Sequence, residues 1–278
     1  MTPNPSISVE ESGWSRIDIS VSALDNIEKK LPANLVEVVP VDLRFHAAGH
    51  NLHLCLPDYA GHYRIYGGEM YHCLLEKSLE HYLSFIFAEP AERKVAVDIG
   101  SCKSVVPEIL RRVYGVTCYE QDLEYPPGVN GWRIGSSADA IPLPDTSVDF
   151  MMLHCTFEHF EGNADTGFVR ECGRLLRPGG RAIILPLYLN PIHCNVTGET
   201  QPERRHTIGF DPEAAHRCLI PEWQNRFGRH YSPEALTRRV LQPASESGLT
   251  STLLRVKHWE AIDPRLWLKW ILILRKPD

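Results

Sequence analysis

The segment that most constrains this chain begins at Lys94, where KVAVDIG reads as a strand running directly into a glycine. Valine and isoleucine dominate it, as in strands covered on both faces. Ser104 can cap a following helix with apolar positions Val105, Ile109, Leu110 and Val113; Pro107 is tolerable in its first turn, where the missing N–H had no partner. Gly115 closes that helix, and Val116 to Tyr119 makes a second short strand. The alternation continues with a strand at 149–153 (DFMML), a helix over 167–176 stopped by RPGG, and a strand at 181–187 (RAIILPL). Strands alternating with helices predict an α/β fold, a doubly wound, Rossmann-like, mostly parallel sheet with helices on both faces. Two late runs, 251–259 and 266–275, lack a helix between them and predict an antiparallel C-terminal strand pair at one sheet edge.

Residues 1 to about 34 are polar and proline-spaced and predict a loose arm. Short strand-like runs such as LVEVVPVDLRF follow, and then a helix over 70–87 with Leu75, Leu79, Leu83 and Ile86 on one face and Glu76 and Glu80 on the other. The expected organisation is an N-terminal arm and cap region over 1–69 and a main domain over 70–278. The main domain carries an insertion at about 188–230, rich in His, Arg, Pro and Trp. Ser232-Pro233-Glu234 starts one more helix, through Val240. His46, His50, His53 and Cys55 lie close enough in sequence to suggest metal ligands, but soft ligands so near together usually come with a second anchoring pair. A short strand after a turn at Gly49 is the expected structure there, and no metal is expected.

A net charge of -6 over 278 residues lacks the basic footprint of a nucleic-acid binder. No apolar run reaches the roughly 18 residues of a membrane span. The start, MTPNPSISVEESGW, lacks the pattern of a signal peptide. The eight cysteines show no CxxC pair. A cytoplasmic protein is expected.

Four signals fall in order at the carboxyl ends of the expected strands, where ligands bind in open sheets. They are VAVDIGSCKS, the acids of VTCYEQD, ADAIPLPDTSVDFMMLHCTFEHF, and RECGRLLRPGGRAIILPL. With these residues the chain resembles the class I S-adenosylmethionine-dependent methyltransferases of the type 11-like group. It also resembles, more loosely, bacterial methyltransferases of glycan and polysaccharide clusters. The resemblance implies S-adenosyl-L-methionine as cofactor. By the same token Asp98, Gly100, Ser101 and Cys102 form the loop under its methionine part, and Glu120 binds the ribose, with Asp122 as the fallback. Ser137, Ala138 and Asp139 border the adenine, and His154 sits next to the methyl group. Two glycines usual in that loop are Cys102 and Ser104 here, and the acid usual before Ala138 is Ser137. GSCKSV does not fit a nicotinamide-binding GxGxxG, and neither a P-loop nor a GxSxG elbow is present. The alternative is a catalytically degenerate methyltransferase fold kept for binding or scaffolding.

Methyl transfer needs alignment of acceptor, methyl and sulfur, and an oxygen acceptor also needs a base. His154, His159 and His193 are the candidates. The insertion reads as a lid whose Arg204, Arg205, Arg217, Arg226 and Arg229, with Trp223 and Phe227, suit a polar and anionic acceptor. A small-molecule or glycan hydroxyl is the expected target.

Overall fold

The computed structural model describes residues 19–61, 71–101, 104–198, 208–214, 216–220 and 225–278. The strands are β1 (Glu37–Asp42), β2 (Val95–Ile99), β3 (Thr117–Asn130), β4 (Arg133–Gly135), β5 (Val148–His154), β6 (Leu176–Leu185), β7 (Cys194–Gly198), β8 (His216–Ile220), β9 (Gly228–His230), β10 (Thr250–Lys257) and β11 (Trp270–Arg275). The helices are α1 (Val21–Lys29), α2 (Ala47–Leu54), α3 (Tyr71–Ala88), α4 (Val106–Tyr114), α5 (Ala164–Leu175) and α6 (233–246).

Eight strands make one sheet in the order β1-β10-β11-β6-β5-β2-β3-β4. It is parallel except where β11 runs antiparallel to β10 and β6. The doubly wound α/β expectation is therefore met. Consecutive residues of each central strand enter opposite cores, as a period of two requires. Val97, Ile99, Met151, Leu153 and Ile184 pack with α1, α5 and α6 on one face. Ala96, Phe150, Met152, Ile183 and Leu185 pack with α2, α3 and α4 on the other. Winding reverses between β2 and β5, and this switch point opens a crevice at the strand ends.

Several local expectations change. The C-terminal pair is not outermost, because β1 adds to β10 in parallel register, Val39 opposite Leu254. The arm contains α1, capped by the Ser20 hydroxyl, and its Leu24 and Ile27 reach the core. The histidine-rich segment is helix α2 rather than a strand. Gly49 is not a turn but the point where α2 crosses α3, and a side chain there would strike the Tyr82 hydroxyl at 2.2 Å. Within α2, His50 pairs with Ser78 at 2.7 Å and His53 with Tyr59 at 2.7 Å, and burial pushes both rings down to about 4. Among the described residues, no group of three or more His, Cys, Asp and Glu is placed to hold a metal ion. No helix is long and apolar enough to cross a membrane.

Helix α6 runs beyond Val240 although Pro243 has no N–H for the Arg239 carbonyl. The helix widens into a π-turn over Thr237–Leu241, and the Thr166 hydroxyl donates to that carbonyl at 2.8 Å. The 188–230 stretch folds its described strands into a separate sheet, β8-β7-β9.

Candidate active site

The crevice holds a cavity of 340 Å³ lined by Gly100, Gln121, Asp122, Ser137, Ala138, Thr156, His159 and Glu161 among others. A larger hollow of 740 Å³ lies far away at the β1 edge, beside Arg255 and Lys257, and none of the sequence-derived site residues line it.

Gly100 ends β2 with φ +66. A side chain there would meet Thr156 Cγ2 at 2.4 Å and Oγ1 at 2.6 Å, so two strand-end loops touch across the crevice floor. Gly100→Ala is expected to lower stability by about 1–3 kcal/mol and to weaken ligand binding in the crevice. Thermal melting with and without S-adenosylhomocysteine measures both effects, and an unchanged melting temperature would contradict the close approach.

Asp98 is buried behind this glycine. One carboxylate oxygen faces His154 Nδ1 at 3.4 Å, and the other has no hydrogen-bond partner. Ser101 Oγ and Gln121 Oε1 are also buried without partners. Buried polar atoms are rarely left unsatisfied, and three around one crevice suit a polar ligand that completes them. Cys102 lies outside the described residues.

The two candidate ribose acids separate. Glu120 stands beside Asp98 in register, and Arg111 takes its carboxylate at 2.7 Å, with Arg133 at 3.5 Å and the Tyr125 hydroxyl at 3.4 Å. Asp122, two residues further along the same face of β3, lines the cavity. Glu120, held by Arg111 and Arg133, is not among the residues that line the cavity. Of the adenine turn, Ser137 and Ala138 line the cavity, whereas Asp139 is exposed and lies against Gly167 of α5.

The three histidines also separate. His154 is closed into the packing between β5 and α3, with Nε2 on Ser84 Oγ at 2.9 Å and its ring edge-on to His81. His193 is 6% exposed, and its nitrogens face Asp211 at 3.0 Å and the His230 carbonyl at 3.1 Å. Neither is among the residues that line the cavity. His159 is on the wall. Its Nδ1 donates to the Phe227 carbonyl at 2.5 Å, and its Nε2 lies 3.6 Å from Glu158 Oε1.

Of the insertion's arginines, Arg226 and Arg229 are paired within the chain. Arg229 is fully buried, and four of its N–H groups make hydrogen bonds among the described residues. Nε and one terminal nitrogen bond Asp211 at 2.6 and 2.7 Å, and the carbonyls of Phe160 and Gly162 accept at 2.6 and 2.9 Å. Asp165 stands 3.1 Å away. Burial opposes the charge on Asp211, but Arg229, His193 and Asn195 overcome it and hold the carboxyl well below its usual range. Arg226 pairs with Glu161 at 2.6 Å. These pairs dock the small sheet on the loop before α5. Arg204, Arg205 and Trp223 lie outside the described residues, as does the side chain of Arg217.

Thr156, Gln121 and Glu161 were missed in the sequence. Thr156 and Glu161 are marked only by following β5 and a helical turn, and Gln121 lies inside β3, so the signal is weak.

Residues 97–184 match the methyltransferase domain family. That segment is similar to methyltransferase domains. A Mycolicibacterium smegmatis protein named as a probable S-adenosylmethionine-dependent methyltransferase is 28% identical over 178 residues, 57% of this chain and 68% of that one. Two solved structures are similar at lower identity. The Burkholderia thailandensis 1,6-didemethyltoxoflavin-N1-methyltransferase is 14% identical with a TM-score of 0.44, over 86% of this chain and 92% of that one. The Streptomyces coelicolor geranyl diphosphate C-methyltransferase is 11% identical with a TM-score of 0.45, over 81% and 89%. The match begins inside β2 and ends in β6, and every residue that lines the cavity falls within it.

Proposed function

We propose that this chain methylates a hydroxyl group of a sugar, glycan or small polar metabolite, with S-adenosylmethionine as the methyl donor. The observation that carries the reading is the switch-point cavity, which has Asp122 on its wall, Gly100 on its floor and His159 facing in. The buried unpartnered atoms of Asp98, Ser101 and Gln121 fit a cofactor rich in hydroxyl, amine and carboxylate groups. Asp122 would hold the ribose hydroxyls, Ser137 and Ala138 would border the base, and the Gly100–Ser101 backbone would pass under the methionine part. When bound, the cofactor supplies a methyl carbon made electrophilic by its sulfonium.

The protein's part is to orient the acceptor, exclude water and accept a proton. With Nδ1 donating to Phe227, the basic nitrogen of His159 is Nε2, and it takes the acceptor's hydroxyl proton. Asp122, Ser137, Glu161 and His159 give the cavity a hydrogen-bonding wall that suits a polyol better than a flat apolar acceptor.

Asp122→Ala is expected to weaken S-adenosylhomocysteine binding by about 1.5–3 kcal/mol, the worth of a hydrogen bond to a charged group. Glu120→Ala should leave most of that affinity intact, and calorimetry on the two variants ranks the acids. For the acceptor, labelled methyl transfer is followed into a panel of oligosaccharides and small hydroxyl metabolites. An O-methyl ether product supports the reading, whereas transfer confined to amine or carbon acceptors overturns the hydroxyl assignment.

A further inference from the structure

Thr156 lines the cavity where the loops after β2 and β5 meet. Its Cγ2 and Oγ1 lie 2.4 and 2.6 Å from the point that a side chain on Gly100 would occupy. The hydroxyl proton is committed, because Oγ1 donates to the His154 carbonyl at 3.2 Å. A hydroxyl has one proton and two lone pairs, so Oγ1 meets a ligand only as an acceptor.

The rest of the polar wall has the same bias. Gln121 Nε2 donates to the Ser136 carbonyl at 2.5 Å, while its Oε1 is buried without a partner. His159 Nδ1 donates to the Phe227 carbonyl, and Asp122 and Glu161 add two carboxylates. No lysine or arginine is among the lining residues. Arg226 pairs with Glu161 at 2.6 Å but is not one of them. The wall therefore accepts hydrogen bonds more than it gives them, and its formal charges are negative. Such a wall favours a positively charged ligand over a neutral counterpart of the same shape.

We infer that Thr156 is a specificity-determining residue that makes the site prefer the charged methyl donor, S-adenosylmethionine, to its demethylated product, an inference that rests on the methyltransferase reading above. The two molecules share every hydrogen-bonding group. They differ at sulfur, which is a sulfonium in the donor and an uncharged thioether in the product. With the ribose at Asp122 and the methionine part at Gly100, the sulfur that joins them belongs between these two residues. That is the stretch of floor Thr156 shares with Gly100. The Thr156 lone pairs meet a positive centre in the donor and a neutral one in the product. Methyl transfer leaves the carbon–sulfur electron pair on sulfur and removes the charge, so the wall that holds the donor releases the product.

Calorimetric titration of S-adenosylmethionine and of S-adenosylhomocysteine into the full chain, with no acceptor present, tests it. The parent should bind S-adenosylmethionine at least about tenfold more tightly, the usual scale of a polar contact to a charged group. Thr156→Val keeps the shape and removes the lone pairs. It should narrow that ratio by at least about threefold, through weaker S-adenosylmethionine binding. Thr156→Ala, which removes the oxygen without adding a methyl group, should narrow it in the same way, whereas Thr156→Ser keeps the oxygen and should preserve it. Equal affinities in the parent, or tighter binding of S-adenosylhomocysteine, overturn the assignment. So does a valine or alanine variant that weakens both ligands alike and keeps the parent ratio, as a merely structural threonine would. A parent that binds neither ligand fails the methyltransferase reading instead, and the inference falls with it.

Discussion

Replacing Arg229 by methionine is expected to destabilise the protein by about 3–5 kcal/mol, the cost of breaking a buried ion pair from one side. Four of its donors make hydrogen bonds and Asp165 stands 3.1 Å away, and both Asp211 and Asp165 would remain buried without it. Asp211 would keep His193 and Asn195 at 3.0 and 2.9 Å, but Asp165 would retain Arg239 and the Tyr231 hydroxyl, so the larger damage falls at Asp211. Because β7 and β9 hang on this cluster, the loss should also free the Phe227 carbonyl that fixes His159. Urea denaturation measures the first effect. Arg226→Met removes a partly exposed pair, and such pairs contribute roughly 0–1 kcal/mol, which makes it the matched control. Equal losses for the two arginines would contradict the burial argument.

His159→Ala is expected to lower turnover by about a hundredfold or more at saturating cofactor, the usual contribution of a general base. His154→Ala and His193→Ala should act on stability first, since each ring is enclosed by packing and hydrogen bonds away from the cavity. The discriminating measurement is turnover per folded molecule for the three variants on an acceptor found by methyl-transfer screening. If His159→Ala keeps more than a tenth of the activity, positioning in the crevice carries the step without that base.

The parts of this fold legible in the sequence are those fixed by neighbours in the chain. KVAVDIG, DFMML and RAIILPL are apolar because both sheet faces are covered. Gly115 is left-handed at φ +64 where the α4 pattern ends, and the Ser104 hydroxyl accepts from Val106 N at 3.2 Å. Details that depend on partners far along the chain were not legible. Nothing local tells Glu120 from Asp122, since they share a strand face. Arg111, arriving from the next helix turn, decides which one is held back. Glu76 and Glu80 look solvent-facing by period, yet the groups that receive them, Trp267 N and Cys155, lie 191 and 75 residues away. Arg226 and Arg229 look like ligands for an anion, and in the structure they pair with Asp211, Asp165 and Glu161 of the same chain. Gly49 reads as a turn because its role, admitting the Tyr82 ring between two helices, involves a residue on another element.

The central claim is that the switch-point cavity is the cofactor site, and calorimetric titration of S-adenosylhomocysteine into the full chain tests it most directly. The account predicts one site with a dissociation constant in the micromolar range, or about −8 kcal/mol. It also predicts affinity that falls about tenfold or more in Asp122→Ala and far less in Glu120→Ala. No heat and no thermal shift at millimolar ligand, or equal affinity in both variants, would contradict it.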